Sequence, residues 1–190
     1  MKIVEELPEY IRTLIPYEPG KPIEEVEREY GIANSIKLAS NENPLGPSPK
    51  ALAALRAKLG ELHLYPDGDC FYLKNRLAKK LGVAPQELIF GNGSNEIIEL
   101  AVRAFMRPGD QAVMARQVFV VYQLIVQAVG GKSVQVPLRD YTHDLGAIAA
   151  AVTPQTKIVF LANPNNPTGT IYRRGEWAEF LAKLPEDLLL

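Results

Sequence analysis

Cysteine is almost missing from this chain: Cys70 stands alone among 190 residues. A lone thiol excludes an internal disulfide framework and a multi-cysteine zinc site, and fits a reducing compartment, with the cytoplasm as the expected location. Charge of one sign is also lacking, since 21 Lys and Arg face 22 Asp and Glu for a net charge of -1. Without a basic excess or a run of like charges, neither a nucleic acid nor an anionic membrane surface is an expected partner. No apolar run is long enough to span a bilayer, and Met1-Lys2-Ile3-Val4-Glu5-Glu6 lacks the apolar core of a signal peptide. The two histidines, His63 and His143, are isolated from each other and from other ligands at metal spacing. They are expected at surface or loop positions, and no metal site is expected.

What remains is 47% hydrophobic and 23% charged, the balance of a folded globular protein with enough length for a sizeable core. Pro22, then Ile23, Val26 and Tyr30 with acids between, then Gly31, predicts a short amphipathic helix. Ser35 to Leu38 suggests a short strand. Asn41-Glu42-Asn43-Pro44-Leu45-Gly46-Pro47-Ser48-Pro49 is too rich in proline for regular structure and predicts an ordered loop. Ser48 and Pro49 then open a helix with Leu52, Leu55 and Leu59 on one face, ended by Gly60. Another helix follows Asp69, with Leu73, Leu77 and Leu81 inward and Gly82 at its end. Cys70 reads as a half-buried small hydrophobe in front of it.

From Leu88 the pattern changes to short apolar runs alternating with helical spacing. Leu88-Ile89-Phe90, Ala112-Val113-Met114, Ser133 to Val136 and Ile158 to Leu161 are predicted strands, and Leu188-Leu189-Leu190 the start of another. Helical spacing separates them at Ile97/Ile98/Ala101/Val102/Phe105, at Tyr122/Ile125/Val126/Val129, at Leu145 to Val152, and at Trp177/Phe180/Leu181/Leu184. This alternation predicts an α/β fold, a mostly parallel sheet with helices on both faces, which places ligands at the carboxyl ends of its strands.

Three segments at those ends carry candidate chemistry. Gly91-Asn92-Gly93-Ser94-Asn95-Glu96 feeds a helix N-terminus, where free N–H groups, the macrodipole and the Ser94 and Asn95 side chains suit a phosphate. It also fits a plain helix start capped by Ser94. The position of a third dinucleotide-binding glycine is taken by Glu96, and no Lys-Ser/Thr pair follows, so a single phosphate on a small cofactor fits better than a nucleotide. Phe119 follows the second predicted strand and suits either packing on the core or stacking on a flat heteroaromatic ring. Asn163-Pro164-Asn165-Asn166-Pro167-Thr168-Gly169-Thr170 makes a stiff loop whose amides point in fixed directions.

Asn165-Asn166-Pro167-Thr168-Gly169, together with Asn41-Glu42-Asn43-Pro44, Tyr65-Pro66-Asp67-Gly68 and the Gly91 to Glu96 turn, resembles the pyridoxal-phosphate aminotransferases of the aspartate-aminotransferase-like superfamily. Tyr17-Glu18-Pro19-Gly20-Lys21-Pro22 before a short acidic helix is similar to the histidinol-phosphate branch. The resemblance covers the whole chain and implies the large domain of fold type I, truncated, with an N-terminal helical arm. Residues 1–48 would form the arm and part of a small domain, and residues 49–190 an incomplete pyridoxal 5'-phosphate domain. It implies that Ser94 and Asn95 hold the cofactor phosphate, Phe119 stacks on the ring, and Asn166 donates to the phenolic oxygen. Tyr65 would reach the cofactor phosphate of a neighbouring subunit in a homodimer with shared sites, and Tyr17 would face the substrate.

The implied reaction moves an amino group between glutamate and imidazole-acetol phosphate, so the expected partners are small molecules, an amino acid and an amino alcohol phosphate. Threonine-phosphate decarboxylases and aromatic aminotransferases share nearly the same first half and stay open as readings. So does a non-catalytic pairing module. The family's lysine that binds the cofactor covalently and its acid beside the ring nitrogen have no match between Lys2 and Asp187. The chain is therefore expected to be an inactive N-terminal half, with no catalytic residue of its own.

Overall fold

Strand β1 (Gln111–Ala115) is apolar on both faces, and both are covered. The computed structural model describes residues 2–190; Met1 lies outside the described residues. In chain order the helices are α1 (Lys2–Glu5), α2 (Glu9–Arg12), α3 (Ile23–Tyr30), α4 (Pro49–Lys58), α5 (Phe71–Leu81) and α6 (Gly93–Phe105). After β1 come α7 (Val121–Ala128), β2 (Lys132–Val136), α8 (Leu145–Ala150), β3 (Thr156–Phe160) and α9 (Arg174–Leu181). None of the described helices is long and apolar enough to cross a membrane.

The strands are all parallel, in the order β2-β1-β3, with Val113 beside Val134 on one flank and Val159 on the other. Alternation along each strand sorts the core into two layers. Ala112 and Met114 of β1 with Ile158 and Phe160 of β3 pack on Val102 of α6 and Val126 of α7. Val113, Val136 and Val159 face the other way, onto Leu145 and Ile148 of α8 and Phe180 of α9. The chain moves outward from β1 to β2 and then back across β1 to β3. Right-handed crossovers in opposite directions put their helices on opposite faces, which is where α7 and α8 lie. The expected fold class, a parallel sheet covered on both faces, is what the chain adopts.

The chain divides into two units. One joins the segment ending at Tyr17 to Gly91–Leu190, and the other is Glu18–Phe90. The division therefore falls at 17/18 and 90/91, whereas the sequence places a single boundary at 48/49. In the first unit the amino-terminal segment is tied down: Gln127 Nε2 of α7 donates to the Tyr10 carbonyl at 3.0 Å and to Thr13 Oγ1 at 3.3 Å.

Several sequence expectations differ from what is observed. Leu88-Ile89-Phe90 is extended but joins no strand among the described residues, and Ile89 is exposed. Ser35 to Leu38 likewise forms no ladder, with Ile36 and Leu38 in solvent. A strand needs a neighbour for its N–H and C=O groups, and an apolar run alone does not supply one. Leu88 to Phe90 also has too few residues for its period to be informative. The α5 helix forms as predicted, ended by Gly82 in the left-handed conformation, whereas α4 stops at Lys58 and a 3-10 turn, Leu59–Glu61, carries on through Gly60, where the sequence placed its end. Yet Leu73 and Leu81 are exposed, not inward, and Leu55 and Leu59 of the shared apolar face are exposed as well. Leu188-Leu189-Leu190 starts to pair as expected: Val159 N–H donates to the Leu189 carbonyl at 2.9 Å, in a single parallel bridge beside β3.

Candidate functional site at the carboxyl edge of the sheet

In a parallel sheet, the loops after two neighbouring strands part where the following helices leave toward opposite faces, and the crevice between them is the usual ligand site. Here those strands are β1 and β3, followed by α7 on one face and α9 on the other. Phe119 lies four residues beyond the end of β1, half-buried, its ring edge-on to Tyr122 at 5.8 Å. Tyr122 in turn stacks flat on Phe160 of β3 at 4.4 Å. Asn166 lies in the loop after β3, also half-buried, between Asn165 and Pro167.

The two loops are joined directly. Asn165, only 3% exposed, donates from Nδ2 to the Gln117 carbonyl at 3.1 Å and to Thr168 Oγ1 at 2.8 Å. Its backbone N–H donates to the Thr170 carbonyl, and its own carbonyl accepts from Gly169 N–H at 2.8 Å. The segments that hold Phe119 and Asn166 are thus fastened together although 47 positions separate the two residues in sequence.

The third predicted element arrives by chain reversal. Helix α6 covers 13 residues, about 20 Å at the usual rise, and a short link then starts β1. With Ile98 and Val102 packed on the same layer as Met114 and Phe160, α6 runs antiparallel to β1. Its N-terminus therefore lies toward the carboxyl edge. Gly93 opens it with φ +77°, a conformation that disfavours any side chain. The Glu96 carboxylate folds back and accepts from Asn92 N–H at 2.5 Å and from Asn92 Nδ2 at 3.2 Å. It fills the space beside Gly91, where an added Cβ would come within 2.9 Å of Oε2. Ser94 and Asn95 in the first turn stay exposed, and their side chains make no hydrogen bond among the described residues. Their backbone amides have no carbonyl one turn earlier to bond, as in any first turn.

This donor set, a hydroxyl, a carboxamide and first-turn amides at the positive end of a helix, fits a phosphate. A half-buried aromatic ring and a second carboxamide fit a flat ring bearing an oxygen anion. Tyr65 and Tyr17 are both exposed, Tyr65 completely and Tyr17 by 52%; Tyr65 belongs to the unit Glu18–Phe90 and Tyr17 to the end of the segment joined to the sheet. No metal-ligating cluster occurs among the described residues.

Residues 33–190 match the family described as aminotransferase class I and II. The chain belongs to that family. Among the relatives of this aminotransferase chain, the histidinol-phosphate aminotransferase of Moorella thermoacetica is 50% identical over 182 residues, covering 96% of the chain and 47% of the relative. That of Methylobacillus flagellatus is 51% identical over 185 residues, covering 96% and 50%. The chain spans about half the length of the curated relatives it matches. The crystal structure of histidinol-phosphate aminotransferase from Sinorhizobium meliloti, in complex with pyridoxal-5'-phosphate, superposes with a TM-score of 0.86 at 31% identity, over 97% of the chain and 50% of that protein.

Sequence reasoning missed two features of this edge. It grouped Asn165 with its neighbours without singling it out, because three asparagines in one loop do not reveal which amide faces inward. It also expected His143 at a surface or loop position, without its burial. His143 is in a loop, but 5% exposed, with its ring 6.2 Å from that of Tyr172. Burial lowers its pKa below the usual 6.5, and the facing Ala162 carbonyl and Asn165 side chain partly oppose this. Neither ring nitrogen completes a well-aligned hydrogen bond among the described residues, and nor does Asn165 Oδ1.

Proposed function

We propose that this chain is the cofactor-cradling part of a histidinol-phosphate aminotransferase that takes pyridoxal 5'-phosphate, glutamate and imidazole-acetol phosphate. The observation that carries this reading is the Asn165 carboxamide joining the Phe119 and Asn166 loops at the β1/β3 crevice. The named relatives and the cofactor-bound Sinorhizobium structure support it. Ser94 and Asn95 hold the phosphate at the α6 N-terminus, Phe119 lies against the pyridine ring, and Asn166 donates to the phenolic oxygen, favouring its anionic form. When bound, the cofactor supplies an electron sink for the carbon that loses its proton. Tyr65 reaches the phosphate of a neighbouring subunit in a homodimer, Tyr17 faces the substrate, and the setting is the cytoplasm.

The covalent lysine and the acid at the ring nitrogen have no counterpart among these 190 residues. The chain alone therefore binds the cofactor non-covalently and does not transaminate. Borohydride treatment with pyridoxal phosphate tests this: peptide mapping should find label scattered over exposed lysines. Stoichiometric label on one lysine would show that a covalent site is already present.

The cradle itself is tested by titrating 4-deoxypyridoxine 5'-phosphate, which lacks the aldehyde and cannot react with lysines. Asn166→Ala and Ser94→Ala should each weaken binding by about tenfold, the loss of one charge-assisted hydrogen bond. Unchanged affinity in both would remove the reading.

A further inference from the structure

The loop that carries Asn166 is held by a hydrogen-bonded relay whose direction can be worked out. Thr170 Oγ1 donates to the Tyr141 carbonyl at 2.7 Å, and a carbonyl can only accept, so the Thr170 proton is committed there. The 2.9 Å contact between Thr168 Oγ1 and Thr170 Oγ1 must then run from Thr168 to Thr170. That commits the Thr168 proton, and Thr168 can only accept from Asn165 Nδ2. The second Asn165 amide hydrogen goes to the Gln117 carbonyl. One buried carboxamide thus starts a chain through two hydroxyls, and the chain touches the loops that follow β1, β2 and β3.

Such a relay works only in one polarity. Every proton on it is used, and each link is fixed by the carbonyl at its end. Asn165 is the only member with two donors, and without them the Gln117 carbonyl and the Thr168 oxygen lose the partner they share. Asn166 is its immediate neighbour, and Phe119 follows Gln117 by two residues.

We infer that Asn165 is a positioning residue: its carboxamide locks the Asn166 loop onto the Phe119 loop, so that the ring-facing amide and the stacking ring keep one register. This rests on the cofactor reading given above. Both Asn165 amide hydrogens are spent on Gln117 and Thr168, so it acts on the ligand through Asn166 and Phe119.

The test again uses 4-deoxypyridoxine 5'-phosphate with the full chain, following both affinity and the ultraviolet band that reports ionisation of the bound phenolic oxygen. Asn165→Asp keeps the shape but replaces two donors with an acceptor. It should weaken binding by about tenfold or more and shift the bound phenol toward its neutral form, as Asn166→Ala should. Thr168→Val should do the same to a lesser degree, and Thr168→Ser should restore both readouts. If Asn165→Asp does not fold, the threonine pair decides. A lowered melting temperature with unchanged affinity and band in the folded variants would make Asn165 a structural residue only and overturn the inference. Failure of the wild-type chain to bind, or indifference to Asn166→Ala, would instead overturn the cofactor reading and the inference with it.

Discussion

His143 shows how much a single side chain depends on its surroundings. Its ring is buried among Tyr172, the Ala162 carbonyl and Asn165, and burial holds its pKa below 6.5. The unfolded chain takes up a proton near pH 6.5, whereas the folded chain resists until a lower pH. In that window the unfolded state binds more protons, so stability is complete above 6.5 and declines as pH falls through the gap. Urea midpoints measured from about pH 7.5 down to about 5.5 should fall in the wild type. In His143→Phe they should fall much less, and equal slopes would show that other groups carry the effect. The sequence held no sign of this burial. His143 sits beside Asp144 in a polar stretch, and only the fold brings the Tyr172 ring against it. The positions of Phe119 and Asn166, each in a loop just past a strand, were legible because strand ends could be located from the apolar runs. The role of Asn165 was not, because nothing in composition separates an amide that faces a ligand from one that fastens a loop.

At the scale of elements, legibility follows the strength of the periodic signal. Helices α6, α7, α8 and α9 and strands β1, β2 and β3 lie where their spacing predicts, since each buries an apolar face against the same sheet. Leu88 to Phe90 failed as a strand for want of a neighbour. The face formed by α8 and α9 rests on few large side chains, Ile148 and Phe180 above all, both under 3% exposed. Phe180→Ala should therefore cost about 3–5 kcal/mol, read as a shift of the denaturation midpoint with an unchanged slope. A loss below about 1 kcal/mol would mean that α9 is not fixed to the sheet as the structure has it. The same helix borders a cavity of about 520 Å³ lined by Arg139, His143, Arg173, Glu179 and Lys183. That cavity lies beside the α8 and α9 layer. Strand order and donor chemistry point instead to the β1/β3 crevice.

The whole molecule exposes more apolar surface than its own core explains. In the unit Glu18–Phe90, Leu55, Leu59, Leu62, Leu64, Phe71 and Leu73 are each more than half exposed, and surface of this kind marks association. Native mass spectrometry should find chains associated, with dimers expected from the homodimer reading; a stable monomer at micromolar concentration would contradict it. In the proposed reading, Ser94, Asn95, Phe119 and Asn166 all belong to the sheet unit. The most direct measurement is a backbone amide NMR titration of the chain with 4-deoxypyridoxine 5'-phosphate. Shifts that saturate together at Ser94, Asn95, Phe119 and Asn166, with Arg139 and Lys183 unmoved, are the predicted result. Shifts centred on Arg139, Arg173 and Lys183, or no saturable shift at the α6 N-terminus, would contradict the account.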